Sequence, residues 1–282
     1  MRIWRWASTV LVVAASAGNT ATAAGQLPLA PMRAAGQTVT PAFEGWYRND
    51  DASFSLSFGY FNRNSGEVLD IAVGPDNFFE PGPRDRGQAT HFEPRRHWGV
   101  FAVRVPADFG DRRVVWTLVV RGDTFRIPGS LRPEWQIDAL EGEAGSGNTP
   151  PVVRFEQAGP EGRGPAGITA GPLRAVAGQP LRITVWAADD GRTSSSIAGG
   201  GRAGVPVTLT WFKHQGQGEV TFEPASARVP VEGGSATTAV TFHAPGEYVL
   251  RVRANDASGV AGAGHAQCCW TNGFVRVSVG PG

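Results

Sequence analysis

From Ser53 to Tyr60 the chain alternates strictly, with Phe54, Leu56, Phe58 and Tyr60 interleaved with Ser53, Ser55, Ser57 and Gly59. A period of two sets the four large side chains on one face of an extended strand and the small ones on the other. A helix, turning every 3.6 residues, does not gather that set on one side. A strand with one such face needs a second layer to cover it. Comparable runs follow. Val68–Val73 is short and apolar and ends in the turn cluster Gly74-Pro75-Asp76-Asn77. His97–Val105 aligns Phe101, Val103 and Val105 on one face. Val114–Val120 is apolar on both faces, as in a central sandwich strand, and Thr124–Ile127 can pair back through Arg121-Gly122-Asp123. No window carries a sustained helical period. Residues 43–142 are therefore expected to form one β-sandwich.

The second half repeats the theme. Residues 143–151, within the run Gly142–Pro151, have the composition of a linker. Strands are expected at Leu181–Ala187, Val207–Trp211, Val220–Phe222, Ala236–Phe242, Tyr248–Ala254 and Phe274–Val279, with a turn at Thr271-Asn272-Gly273 before the last. Gly or Pro falls between them, and the chain holds 38 Gly and 21 Pro, suited to many short strands joined by turns. The Gly/Ser-rich stretch Thr193–Gly204 reads as a loop. The fold class is all-β: two β-sandwich domains, the C-terminal one, over 152–282, immunoglobulin-like.

Residues 1–24 read as a signal peptide. Arg2 and Arg5 precede an apolar stretch from Ala7 to Ala17, and Ala21-Thr22-Ala23-Ala24 supplies small residues for cleavage. Residues 25–42, rich in Ala, Pro and Gly, read as a flexible leader. The expected product is exported, periplasmic or extracellular, with no membrane span. A net charge of +1, carried by scattered Arg and the single Lys213, gives no footprint for nucleic acid.

The second unit resembles PKD-type and related bacterial Ig-like domains through Asn148-Thr149-Pro150-Pro151-Val152-Val153, Ala177-Gly178-Gln179-Pro180-Leu181, Val207-Thr208-Leu209-Thr210-Trp211 and Pro245-Gly246-Glu247-Tyr248-Val249-Leu250-Arg251-Val252. The resemblance implies a sandwich with a buried Trp on an early strand, and no particular function. It departs from that pattern at the Gly/Ser insertion before Val207 and at Cys268-Cys269. The first unit, with Phe43-Glu44-Gly45-Trp46-Tyr47, Phe58–Asn64, Gly74–Asn77 and Pro94–Trp98, resembles a region that recurs in exported bacterial proteins of uncharacterised activity. That likeness carries no site residues.

Most aromatics of a sandwich fill its core. Trp46, Tyr47, Trp98 and Trp135 fall near loops or strand ends, and with Arg95 and Arg96 they make a candidate platform for a glycan, peptide or cell-envelope ligand. Adjacent Cys268 and Cys269 imply a vicinal disulfide in an exported protein, serving either as an apolar plate beside Trp270 or as a stiffened turn. Adjacent thiols, even with His265, match no zinc spacing. Asp189-Asp190 and Asn255-Asp256 supply only part of a calcium shell and read as turn caps. His91 and His97, six residues apart, read as turn or solvated histidines. No nucleophile elbow occurs, and nothing in the sequence positions Glu44, Asp70, Asp76, Glu80 or Glu93 as a carboxylate pair. The expectation is a non-enzymatic binding or adhesion protein with no cofactor, no metal and no catalytic residue; the alternatives are a purely structural envelope spacer and, behind it, a hydrolase of unrecognised type.

Overall fold

The computed structural model describes residues 33–137, 148–192, 205–256 and 269–282, and it is all-β. The first half runs β1 (Val39–Arg48), β2 (Phe54–Asn62), β3 (Leu69–Asp70), β4 (Asn77–Glu80), β5 (His91–Phe92), β6 (Arg95–Val105), β7 (Val114–Val120) and β8 (Asp123–Gly129). The second runs β9 (Val152–Arg154), β10 (Ile168–Val176), β11 (Pro180–Ala188), β12 (Val207–Gln215), β13 (Val220–Glu223) and β14 (Ser226–Val229). It closes with β15 (Gly234–Phe242), β16 (Gly246–Asn255) and β17 (Trp270–Gly280).

In the first half, the sheet β1-β2-β6 faces the sheet β4-β7-β8, and β3 pairs with β5. Leu56, Phe58 and Tyr60 of β2 are buried as their alternation demands, against Phe79, Phe101, Trp116 and Leu118. Phe58 stacks on Phe101 with ring centroids 5.6 Å apart and meets Phe79 edge-on at 5.3 Å. In the second half, a five-stranded sheet β10-β17-β16-β12-β14 packs on a four-stranded sheet β13-β15-β11-β9. This is the two-layer arrangement of an Ig-like sandwich, with Trp211 of β12 in its core. All ladders are antiparallel except β10 on β17.

Several sequence expectations are corrected. Residues 33–42 do not form a free leader: the amides of Ser65 and Gly66 donate to the carbonyls of Arg33 and Ala34, and β1 begins at Val39. Residues 148–151 do not form a free linker, because Asn148 is buried against Asp256 and the Thr271 hydroxyl donates to Pro151 O. Of Val68–Val73 only Leu69–Asp70 is strand, and Asn77, read as turn, opens β4. The Asn272-Gly273 pair lies inside β17 and is no turn. Burial overrides the local preference there. Asn272 is fully buried, and a Cβ on Gly273 would sit 2.8 Å from the Phe155 ring. The signal peptide, the 193–204 loop and Cys268 lie outside the described residues.

The two cores are distinct, yet the first one includes Phe274 of β17, with Val249 of β16 packed against it. The serine face of β2 is buried too, Ser55 and Ser57 included. Gly59 continues that face and lets the Glu44 carboxylate lie directly on it, which a Cβ would prevent. Residues 32–282 accordingly form one compact unit.

Candidate binding site

Trp46 is 9 % exposed and Tyr47 8 %, so neither ring offers a face to a ligand. Their polar tips are used internally. The Trp46 indole Nε1 donates to Arg132 O at 2.7 Å, and its backbone carbonyl accepts from Ile137 N at 2.8 Å. Trp46 therefore anchors the segment that carries Trp135. The Tyr47 hydroxyl accepts from Ala166 N at 2.8 Å, tying β1 to the second domain. Burial drives the Tyr47 phenol up to about 12, so it stays protonated.

Trp135 is the exposed member of the set, at 39 %. It sits in the single helical turn Pro133–Trp135, tilted against Phe43 with centroids 5.6 Å apart. The two rings line a groove of about 400 Å³ with Ala42, Ile127, Pro128, Ser130, Arg113 and Arg132. Its walls are largely apolar, and its charged members are both cationic. Sequence reasoning missed Phe43, Arg113 and Arg132, because no spacing relates residues drawn from β1, the β7 approach and the segment after β8.

Arg95, Arg96 and Trp98 lie elsewhere, on β6. The Arg96 guanidinium lies 3.9 Å over the Trp98 ring and also pairs with Glu44. Arg95 takes a left-handed φ of 81°, unusual for a side chain with a Cβ, where β6 opens. None of the three lines the groove that holds Trp135.

Glu44 and Arg96 belong to a charged junction between the sandwiches. The Glu44 carboxylate accepts from Arg96 and from Gly99 N while only 3 % exposed. Burial pushes it up to about 7, against the pull of Arg96 and the Gly99 amide. Gly99 O accepts from Trp270 Nε1 at 3.3 Å and from Asn272 Nδ2 at 2.6 Å. Asn272 Nδ2 also donates to Pro165 O at 2.9 Å, and its Oδ1 accepts from Arg251 at 3.3 Å. The Arg251 guanidinium rests 4.3 Å over Phe212, with that of Arg253 5.2 Å from the same ring. Burial and the neighbouring Arg253 lower Arg251 to about 10, so it remains charged at neutral pH.

His97 stacks on Tyr60 at 4.9 Å and meets Phe212 edge-on. Burial and the Arg251 charge lower it to about 4. His214, lowered to about 3 by burial, is neutral, and its Nε2–H donates to Gly87 O at 2.8 Å. His91 is far simpler: its Nδ1 lies 2.7 Å from Asp70 Oδ1, which also receives Lys213 Nζ at 3.1 Å. A second cleft of about 590 Å³ opens beside this junction, with Arg86, Phe101, His214, Tyr248, Phe274 and Arg276 among its walls.

No family model matches the chain, and no curated protein does. Among solved structures it is similar to the D00-D0 domain of Intimin at 12 % identity, covering 85 % of this chain and 99 % of that one with a TM-score of 0.27. The D0-D1 domain of Intimin follows at 10 % identity, with 86 % and 97 % covered and a TM-score of 0.25. A protein of unknown function from Porphyromonas gingivalis W83 gives 7 % identity, 85 % and 99 % coverage and a TM-score of 0.24. Scores this low do not inform function, which is argued from this chain's own residues.

Proposed function

We propose that this chain is an exported, non-enzymatic recognition protein that binds saccharide in the groove beneath Trp135. The observation that supports the reading is the exposed Trp135 ring, set against Phe43 in an apolar groove with Ser130 and two arginines at hand. A flat aromatic face packs against the apolar face of a pyranose, while peripheral donors satisfy its hydroxyls. The ring is presented on a turn held by the buried Trp46, so the platform is positioned before a ligand arrives. Glu44, His97 and His214, all displaced by burial from their ordinary pKa values, make their contacts within the junction, which favours docking over catalysis as their role.

The test is titration of the mature chain against a glycan panel, with Trp135→Ala compared under the same conditions. Loss of binding at an unchanged unfolding midpoint supports the reading. Binding that survives the substitution defeats it. A spacer role is favoured by a separate observation, the hydrogen-bonded junction, which holds the two sandwiches in one fixed arrangement. The two readings are compatible, the second domain presenting the first.

A further inference from the structure

We propose that the saccharide taken by the Trp135 groove is acidic, carrying uronic-acid carboxylates. This rests on the reading of the groove as a saccharide site. The chain as a whole is nearly neutral, at +1, yet both charged residues lining the groove, Arg113 and Arg132, are cationic. Arg132 is exposed, and its contact with Glu134 is loose, at 3.8 Å between two side chains that both face solvent. Arg113 is exposed as well, and no ion pair holds it among the described residues. Two solvent-facing guanidinium groups beside an aromatic face match a ring that bears a carboxylate, since a guanidinium fork meets a carboxylate with two parallel hydrogen bonds.

An acidic peptide would offer the same charge, but the groove lacks what a peptide strand requires. Its wall on the first domain's second sheet is β8, the edge of that sheet, which contributes Ile127 and Pro128. Proline has no N–H, so an added strand finds its ladder interrupted at that position. The aromatic face, rather than the backbone edge, is what the groove presents.

The experiment measures affinity of the mature chain for oligosaccharides built on galacturonate, mannuronate and glucuronate. Each is set against its methyl ester, which keeps the ring and removes the charge, and poly-glutamate serves as the peptide comparison. The acid form is expected to bind about tenfold more tightly than the ester at low salt, a preference that fades as salt is raised. Arg113→Gln and Arg132→Gln should each remove most of that preference, weakening the acid form far more than the ester. Trp135→Ala should weaken acid and ester alike. Equal binding of acid and ester overturns the proposal and leaves the saccharide groove standing. Binding of poly-glutamate as tight as that of the uronates also overturns it, in favour of an acidic peptide. Binding of neither acid nor ester removes the saccharide reading and this proposal with it.

Discussion

Asn272 holds the two sandwiches together, and truncating it to Ala tests whether they unfold as one. Its Nδ2 bridges Gly99 O of the first domain and Pro165 O of the second, while Oδ1 accepts from the buried Arg251. In the Ala variant Gly99 O keeps Trp270 Nε1, so its loss is partial. Pro165 O loses this donor, and the Arg251 charge loses an acceptor where water does not replace it. A buried group left unsatisfied costs about 1–3 kcal/mol, so the expected destabilisation is about 2–6 kcal/mol. Urea unfolding at pH 7, followed by tryptophan fluorescence and by circular dichroism, measures it. Wild type should show one transition by both probes, and the variant one transition at lower urea. Asn272→Asp sharpens the test. It keeps the shape and faces Arg251, but points an acceptor at the Gly99 and Pro165 carbonyls, and it should recover little of the loss. A cost below about 1 kcal/mol, or two separate wild-type transitions of which one is unmoved, would refute the coupling argument.

Glu44 makes a pH-dependent contribution whose sign follows from its raised value: between the ordinary 4.5 and about 7 the native state holds a proton that the unfolded state has lost, so stability falls as pH rises. Glu44→Gln removes that term, and the variant should gain on wild type by about 1.4 kcal/mol per pH unit from pH 5 to 7 in urea titrations, whereas a constant difference would contradict it. His97 and His214, lowered to about 4 and about 3, act in the opposite direction, and in the Gln variant they should leave stability rising through the same range. Trp46→Phe deletes the indole donor to Arg132 O and shrinks a buried core ring, so the expected cost exceeds about 1 kcal/mol in stability, with saccharide affinity reduced less than by Trp135→Ala.

The strands with clean patterns were legible. Val114–Val120 was expected as a strand and β7 has those bounds, and the alternation of Phe54 to Tyr60 gave β2. β10 was invisible because it is an edge strand with exposed alternate residues, interrupted by Gly171 and Pro172, so neither apolar period nor propensity marks it. β1 was hidden for a similar reason, with Pro41, Glu44 and Gly45 breaking its pattern. At Asn272-Gly273 a strong local turn signal lost to tertiary burial. The candidate site was legible only in part. An aromatic near a strand end looks the same in sequence whether it packs or faces water. What separates Trp46 and Tyr47 from Trp135 is partners 86 and 119 residues away, Arg132 and Ala166, and no local pattern encodes those.

One irregularity in β1 lets a single strand serve both the groove and the junction. Phe43 pairs with Phe58 and Gly45 with Ser57, so Glu44 is the extra residue of a bulge. Beyond it Trp46 pairs with Leu56 and Tyr47 with Ser55. Phe43 and Trp46 therefore share the large-residue face of β2 and serve the core and groove, although they stand three apart. Glu44 and Tyr47 look to the serine face, where the second domain docks. Gly45, at φ 133°, supplies the conformation, and any Cβ there would strike Trp135 O and Ile137. Removing one residue from a strand ordinarily turns everything beyond it to the wrong face. Deleting Glu44 should not, because the bulge closes and Trp46 stays opposite Leu56. The deletion should lose the Arg96 and Gly99 contacts, at about 1–3 kcal/mol for each group left buried. It should still fold, bind saccharide and keep the Trp135 response. An unfolded product, or one folded with the groove lost, would show that Glu44 sets the strand's register rather than standing outside it.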